Sequence, residues 1–101
     1  MILVFTTIHK KASGHKLGKG LLKSRLIACY NLVPVESAYW WKGKIEEENE
    51  VLMVLKAGDD NFDRIEDYIN KNSGYEIPEV VAVKASDVNI PYLNWIDKET
   101  K

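Results

Sequence analysis

The stretch Ser37-Ala-Tyr-Trp-Trp-Lys-Gly-Lys-Ile-Glu46 has the pattern of two strands joined by a tight turn. From Ser37 to Trp41, aromatic and small side chains alternate between two faces, which is the two-residue period of a strand. Lys42-Gly43 then supplies a turn, and a second strand is predicted from Lys44 to Lys56. That strand is acidic at its start and entirely apolar from Val51 to Leu55. We therefore predict a long β-hairpin whose polar end projects beyond the hydrophobic core.

Strands and helices alternate on both sides of this hairpin. Before the hairpin, the hydrophobic pattern predicts a strand from Ile2 to Thr7 buried on both faces, a helix from a cap at Ser13 to about Ile27, and a strand from Cys29 to Trp41 that leads into the hairpin. After the hairpin, it predicts a helix capped by Asp59 or Asp60 and ended by Asn72-Ser-Gly74. A strand from Val80 to Val83 and a short helix opening near Pro91 are predicted to follow. In the second of these helices, Phe62, Ile65 and Ile69 have the spacing of a buried stripe.

This order of elements predicts an α+β, ferredoxin-like (βαββαβ) fold. The expected structure is an antiparallel sheet with two helices on one face, the long hairpin between the second and third strands, and a short C-terminal helix. We expect residues 1–101 to form a single domain of this kind.

Composition narrows the class of protein. With 46% hydrophobic and 29% charged residues, the chain has the balance of an ordinary globular domain. Its apolar runs are far shorter than a membrane-spanning helix, and no basic segment precedes the apolar start, so neither a membrane partner nor a signal peptide is expected. Cys29 is the only cysteine, which excludes an intramolecular disulfide. We predict a cytoplasmic location.

Charge is unevenly distributed along the chain. Residues 1–35 contain six Lys or Arg and no acid, whereas the remainder holds eight basic groups and all fifteen acids. This polarity can steer an anionic ligand or complement another subunit. The alternative is that the uneven charge has no function and only reflects which helix faces lie in solvent, since charged side chains are mostly exposed.

Three longer stretches go beyond the fold. They are Arg25-Leu-Ile-Ala-Cys-Tyr-Asn-Leu-Val-Pro34; the hairpin from Ser37 to Glu46 with its continuation Glu50-Val-Leu-Met-Val-Leu-Lys56; and Tyr75-Glu-Ile-Pro-Glu-Val-Val-Ala82 followed by Tyr92-Leu-Asn-Trp-Ile96. In this order they resemble the CutA family of divalent-cation tolerance proteins, whose most distinctive signature is the Ser-x-Tyr-x-Trp-x-Gly-Lys-Ile-Glu hairpin. The resemblance spans most of residues 25–97.

The resemblance implies a ferredoxin-like subunit in a tight homotrimer, with the hairpin crossing subunit boundaries. The aromatic residues Tyr39, Trp40 and Trp41 are the expected interface, because exposed aromatics and unpaired strand edges favour aggregation of a lone monomer. The alternative is that these side chains pack within one subunit.

Metal binding is the chemistry that the resemblance implies. Cys29, Glu36 and Glu76 are the candidate ligands of an intersubunit site for copper or another divalent metal. A lone cysteine is more often a small buried hydrophobe, and Ser73-Gly74 stands where the family often has His-Pro, which removes an imidazole.

Other site chemistries find less support. Gly14-x-x-x-Gly18-Lys19 is one residue too short for the phosphate-binding loop of nucleotide hydrolases, and Gly20 stands where that loop has a magnesium-binding hydroxyl. Lys16 and Lys19 therefore remain only as candidate anion-binding residues. The cluster from Glu46 to Glu50 is expected to be a solvated hairpin end, and its negative charge argues against a nucleic-acid partner.

Catalysis also lacks support. No nucleophile motif is present, and His9 and His15 are expected to be surface residues without an orienting carboxylate, so no enzymatic activity is predicted. The leading hypothesis is a trimeric metal-responsive binding or signalling protein. The alternative is a trimeric sensor of an anionic small molecule or nucleotide, similar to the nitrogen-regulatory PII proteins.

Overall fold

The computed structural model describes residues 1–101 as one four-stranded sheet with helices. Its elements are β1 (Ile2–Ile8), α1 (Lys11–Lys23), β2 (Cys29–Trp41), β3 (Lys44–Ala57), a 3-10 turn (Asp59–Asn61), α2 (Phe62–Asn72), β4 (Val81–Lys84) and α3 (Ile90–Glu99). The sheet order is β2-β3-β1-β4, and each neighbouring pair is antiparallel. This is the ferredoxin-like order, so the predicted fold is confirmed.

The hydrophobic core lies between one face of the sheet and helices α1 and α2. Val4 of β1 and Leu55 of β3 are fully buried there, opposite Ile65 and Ile69 of α2. Burying each such side chain contributes about 1.5–3 kcal/mol relative to leaving it in water. The predicted stripe on α2 is therefore confirmed, with Phe62 packed against its edge.

The hairpin extends well beyond this core. The pairing of β1 with β3 ends at Ile8 opposite Val51, whereas β2 and β3 continue as a pair to Trp41 opposite Lys44. Residues 35–50, here called the projecting hairpin, thus have no third strand beside them. At its tip Lys42 and Gly43 have φ of 49° and 82°, as a two-residue type I′ turn requires, and the predicted turn is confirmed.

Helix α1 does not have the predicted ends. Ser13 is not the cap, because the helix begins at Lys11 and the carbonyl of Lys10, in extended backbone, accepts a hydrogen bond from the Gly14 amide at 2.9 Å. The helix stops at Lys23 because Arg25 adopts a left-handed backbone with φ of 61°.

Two backbone amides that follow helix α1 bond to carbonyls of its last turn. The Leu26 amide donates to the Leu21 carbonyl at 3.1 Å and the Arg25 amide to the Leu22 carbonyl at 3.0 Å. These two bonds form a Schellman motif, which ends the helix four residues before the predicted Ile27.

The start of α2 also differs from the prediction. Neither Asp59 nor Asp60 caps it, since both lie in the 3-10 turn and Asn61 precedes the helix without a side-chain cap. Asp59 instead accepts a hydrogen bond from the Met1 ammonium at 2.6 Å, and this bond lowers the pKa of its carboxyl. The Asn61 amide donates to the buried Leu26 carbonyl at 2.8 Å, which ties α2 to the end of α1.

The face of the sheet opposite α1 and α2 is largely uncovered. Alternation and register place on it, among others, Leu3, Phe5, Val33, Leu52, Val54, Val81 and Val83, here called the open sheet face. Val33, Val81 and Val83 are 44–51% exposed. Helix α3 reaches this face at Lys56, whose ammonium lies 5.9 Å from the ring of Tyr92. The prediction that β1 is buried on both faces is therefore met only on the core face, because Leu3, Phe5 and Thr7 on its other side are half-buried in the single chain.

One buried polar atom has no partner. Thr6 is fully buried on the core face of β1, and its Oγ1 makes no hydrogen bond. We expect Thr6→Val to raise the free energy of unfolding by roughly 1 kcal/mol, because valine has nearly the same shape without the unsatisfied hydroxyl. Chemical denaturation measures the change. An unchanged or lower stability would mean that the hydroxyl is satisfied in solution.

Candidate functional site

A cavity lies between the projecting hairpin and residues 75–79. This hairpin cleft has a volume of about 900 Å³, in the range of sites for small organic ligands. Five glutamates line it, namely Glu36, Glu48, Glu50, Glu76 and Glu79, together with the aromatic side chains of Tyr39, Trp40, Trp41, Tyr75 and His9. No lysine or arginine is among the lining residues. The cleft therefore attracts cations.

At the base of the cleft a buried carboxylate is held by a phenol. Glu50 is only 8% exposed, and the Tyr75 hydroxyl donates to its Oε2 at 2.6 Å. Because that hydroxyl has one proton, the contact of 3.2 Å between Tyr75 Oη and His9 Nδ1 requires His9 to donate. The predicted solvated state of the whole Glu46–Glu50 cluster is therefore wrong at Glu50.

Burial and the neighbouring carboxylate act together on this phenol. Burial first, and then the hydrogen bond to Glu50, raise the pKa of Tyr75 far above its ordinary value. Tyr75 is therefore protonated at neutral pH and donates to Glu50.

A second phenol and carboxylate pair lies further along the hairpin. The Tyr39 hydroxyl donates to Glu48 Oε1 across the two strands, a diagonal contact that follows from the pairing of Tyr39 with Glu46 and Ser37 with Glu48. This hydrogen bond, with the surrounding carboxylates, raises the pKa of Tyr39 to about 12.

The Tyr39 shift predicts a pH dependence. A raised pKa in the folded state means that the stabilisation from this pair is complete below the ordinary tyrosine pKa of about 10 and is lost as the pH rises toward 12. We expect Tyr39 to ionise later than an unstructured tyrosine, with Tyr39→Phe removing that late phase from a spectrophotometric titration. Ionisation of Tyr39 near pH 10 would show that the pair does not form.

The predicted metal ligands are not brought together within one chain. Cys29 lies at the start of β2 opposite Lys56, seven residues from Glu36, which along a strand is about 24 Å. Glu36 and Glu76 both line the cleft, whereas Cys29 does not. No group of three or more His, Cys, Asp or Glu side chains in the chain is placed to hold a metal ion.

The candidate anion-binding residues lie on helix α1. Lys16 and Lys19 are exposed, and neither takes part in an ion pair. Gly14 and Gly18 are buried against the sheet in the same helix, so this segment does not form a phosphate-binding loop. The two lysines remain candidates only as a surface site.

The aromatic residues of the hairpin have unequal exposure. Trp40 is 73% exposed and Tyr39 is 37% exposed, whereas Trp41 is half-buried and lies beneath the Lys42 ammonium, which is 5.5 Å from its ring. All three line the cleft. The two histidines were expected at the surface, but His15 is half-buried and its Nδ1 lies 2.7 Å from Tyr30 Oη.

The sequence did not predict that His9, Glu50 and Tyr75 form a hydrogen-bonded group at the base of the cleft. They are separated by up to 66 residues, and no local pattern connects them. The pair of Tyr39 and Glu48 did carry a signal, because the two-residue turn at Lys42-Gly43 fixes the register that makes them diagonal neighbours.

Comparison with known proteins gives a consistent answer. A family model described as CutA1 divalent ion tolerance protein matches residues 2–99. The chain is 43% identical over 101 residues to the divalent-cation tolerance protein CutA of Pyrococcus horikoshii, covering 100% of this chain and 99% of that protein. It is 34% identical over 101 residues to the chloroplastic CutA 1 of Oryza sativa, covering 99% of this chain but only 57% of the longer rice protein.

Solved structures agree with this result. A crystal structure of CutA1 from Pyrococcus horikoshii superposes with a TM-score of 0.96 at 42% identity, covering 100% of this chain and 99% of that one. The periplasmic divalent cation tolerance protein CutA from Archaeoglobus fulgidus superposes with a TM-score of 0.97 at 28% identity, covering both chains completely.

Proposed function

The chain belongs to the CutA1 divalent ion tolerance family, and on that premise we propose that it is a homotrimeric binding protein that responds to divalent metal ions, copper among them. The observation that carries the proposal is the hairpin cleft. Five carboxylates line it and no lysine or arginine does, so its potential concentrates cations.

The residues of one chain do not by themselves fit a metal ion. Its carboxylates, imidazoles and thiol do not converge in any group of three, and a divalent ion needs at least three or four ligands. A metal site therefore has to draw on more than one subunit. We propose that Cys29, Glu36 and Glu76 contribute from different copies, and that His9 and Glu50 are further candidates because they lie in the same cleft.

Assembly into a trimer is supported by the uncovered apolar surface. The open sheet face leaves Val33, Val81 and Val83 about half exposed, and Trp40 is exposed on the projecting hairpin. An apolar sheet face and an aromatic ribbon of this kind are normally buried against protein. We propose that Tyr39, Trp40 and Trp41 contact neighbouring copies.

We propose a binding role rather than an enzymatic one. Each histidine contacts a tyrosine, His9 with Tyr75 and His15 with Tyr30, and neither is oriented by a direct carboxylate contact. None of the three helices is long and apolar enough to cross a membrane. We propose a cytoplasmic location, although the Archaeoglobus fulgidus relative is described as periplasmic.

A second candidate function rests on helix α1. Lys16 and Lys19 are exposed and unpaired in a segment without any acidic residue, which favours an anionic ligand. On this alternative the protein is a trimeric sensor of a nucleotide or another anion, similar to the PII proteins.

Calorimetric titration with copper(II), zinc and a panel of nucleotides separates the two functions. The proposal predicts saturable metal binding that weakens by roughly tenfold in Glu36→Gln, because a charged ligand becomes neutral, and that is unchanged in Glu66→Gln on the exposed face of α2. Cys29→Ser tests the thiol in the same way. The contrary result has two parts: the parent protein binds a nucleotide but no metal, and the double variant Lys16→Ala with Lys19→Ala no longer binds that nucleotide. In that case the anion-sensor function replaces the metal proposal.

A further inference from the structure

Helices α1 and α2 present opposite charges to solvent. Helix α1 exposes four lysines and contains no acidic residue. Tyr68 of α2 contacts Gly20 of α1, so the two helices lie side by side. The outer surface of α1, α2 and the 3-10 turn before α2, here called the helix layer, therefore has a basic half and an acidic half. The basic half carries Lys11, Lys16, Lys19 and Lys23, and the acidic half carries Asp59, Asp60, Asp63, Glu66 and Asp67 with the two basic residues Arg64 and Lys71.

The charges of the helix layer are not balanced within the chain. None of the four lysines of α1 takes part in an ion pair, although the acidic half begins at the next helix. Both basic groups of the acidic half are already bound, since Lys71 pairs with Asp67 at 2.9 Å and Arg64 donates to the Asn61 side chain and the Lys101 carbonyl. Three acids of that half have neither an ion pair nor a side-chain hydrogen bond, and they are Asp60, Asp63 and Glu66.

A surface divided in this way is complementary to itself. If two helix layers face each other across a two-fold axis that runs parallel to the helices, α1 of each copy lies against α2 of the other, because the same patch is used twice. Unpaired lysines then meet unpaired acids in both halves of the contact, and such complementarity selects the partner and its orientation. The formal net charge of the chain is only −1, so little overall repulsion opposes the approach of a second copy.

The helix layer is accessible in the proposed trimer. It lies on the opposite side of the sheet from the open sheet face, and no residue of the projecting hairpin belongs to it. The other acidic run of the chain, Glu46 to Glu48, belongs to the projecting hairpin, whose aromatic residues are proposed to contact neighbouring copies within the trimer. The acidic half of the helix layer is therefore the acidic surface that a separate trimer presents.

From these observations we propose that the helix layer is a docking surface for a second copy of the protein, in which the α1 lysines of each copy pair with the α2 acids of the other. A trimer has three helix layers that point in different directions, so the contact joins trimers into larger assemblies. Exposed ion pairs are individually weak and are screened by salt. The contact therefore forms at low ionic strength and at protein concentrations well above micromolar, and it uses neither the hairpin cleft nor a bound metal.

Static light scattering of the intact protein over a range of concentrations tests the proposal. The two conditions are about 20 mM and about 300 mM sodium chloride, at which the Debye length is about 20 Å and about 6 Å. At the lower salt the apparent mass is expected to rise by roughly twofold or more with protein concentration, because the two halves attract each other. At the higher salt it is expected to stay at the mass of the separate parent assembly.

Two variants with the net charge of the parent test whether the divided surface is responsible. The exchanged variant removes the division and is expected to lose the association at low salt. It carries Lys16→Glu, Lys19→Glu, Asp63→Lys and Glu66→Lys. The matched control changes the same four positions but keeps every sign, so it is expected to associate like the parent. It carries Lys16→Arg, Lys19→Arg, Asp63→Glu and Glu66→Asp. If the exchanged variant does not fold, Lys16→Gln with Lys19→Gln halves the charge of α1 and is expected to reduce the association.

Three results would overturn the docking proposal. They are a constant apparent mass of the parent at low salt, an association that is as strong at the higher salt, and equal association of the exchanged and control variants. Binding of polyglutamate by the parent without association of the parent with itself would assign the α1 lysines to a foreign acidic partner and reject the second copy. A trimer that does not associate further rejects this inference and leaves the proposed trimer in place.

Discussion

Replacing Gly18 with alanine is expected to lower the free energy of unfolding by about 2 kcal/mol, although alanine is the better helix former. A Cβ at this position would lie 2.6–2.7 Å from three carbons of the Tyr30 ring. The ring has little room to move, because it packs against the hydrophobic core and its hydroxyl bonds to His15. Overpacking of this kind costs up to about 3 kcal/mol, and the gain in helix propensity offsets about 1 kcal/mol of it.

Gly20 provides a control in the same helix. A Cβ there meets the hydroxyl of Tyr68, which is the far end of a side chain at the partly exposed contact with α2. Tyr68 also packs against the core, but its hydroxyl, unlike that of Tyr30, makes no hydrogen bond and can shift, so we expect Gly20→Ala to cost clearly less than Gly18→Ala. Urea denaturation of both variants makes the comparison. Equal stabilities for Gly18→Ala and the parent protein would show that Tyr30 does not hold α1 at its observed distance from the sheet.

Placing a charge on the open sheet face is expected to abolish the assembly. Val54 lies near the middle of this face, between Asn31 on β2 and Phe5 on β1, and it is half-buried in the single chain. In the proposed trimer Val54→Asp buries an unpaired carboxylate in each copy, which costs roughly 3–5 kcal/mol per copy. We expect a monomer at micromolar concentration, measured by light scattering after gel filtration.

The control for this variant lies on the opposite side of the molecule. Asn70→Asp adds the same charge to the exposed face of α2, and we expect it to leave the molecular mass of the parent unchanged. A Val54→Asp protein with the mass of the parent assembly would mean that the open sheet face is not the interface.

The elements could be predicted where the local pattern and the packing agree. The period-two aromatic segment before Lys42-Gly43 predicts the projecting hairpin, and the spacing of Ile65 and Ile69 predicts the buried side of α2. Helix ends were less predictable, because they depend on backbone geometry that a side-chain pattern does not report. Arg25 is the example, since arginine rarely adopts the left-handed conformation that stops α1.

The sequence named several residues that line the cleft, but strand geometry separates one of the candidate ligands from the others. Glu36 and Glu76, two of the three candidate metal ligands, line the same cleft, but Cys29 lies on the same strand as Glu36 and is therefore held far from it. Glu50 looked like one of several solvated acids because its partner Tyr75 follows 25 residues later. A tertiary contact of this kind makes one glutamate of an acidic run different from its neighbours.

In the proposed trimer, two further copies of the chain cover the open sheet face and the projecting hairpin. Sedimentation equilibrium of the unmodified protein at micromolar concentration measures whether this assembly forms. We expect a single species of three times the 11.6 kDa chain mass. A folded species of 11.6 kDa over the same concentration range would show that these surfaces are left open in solution.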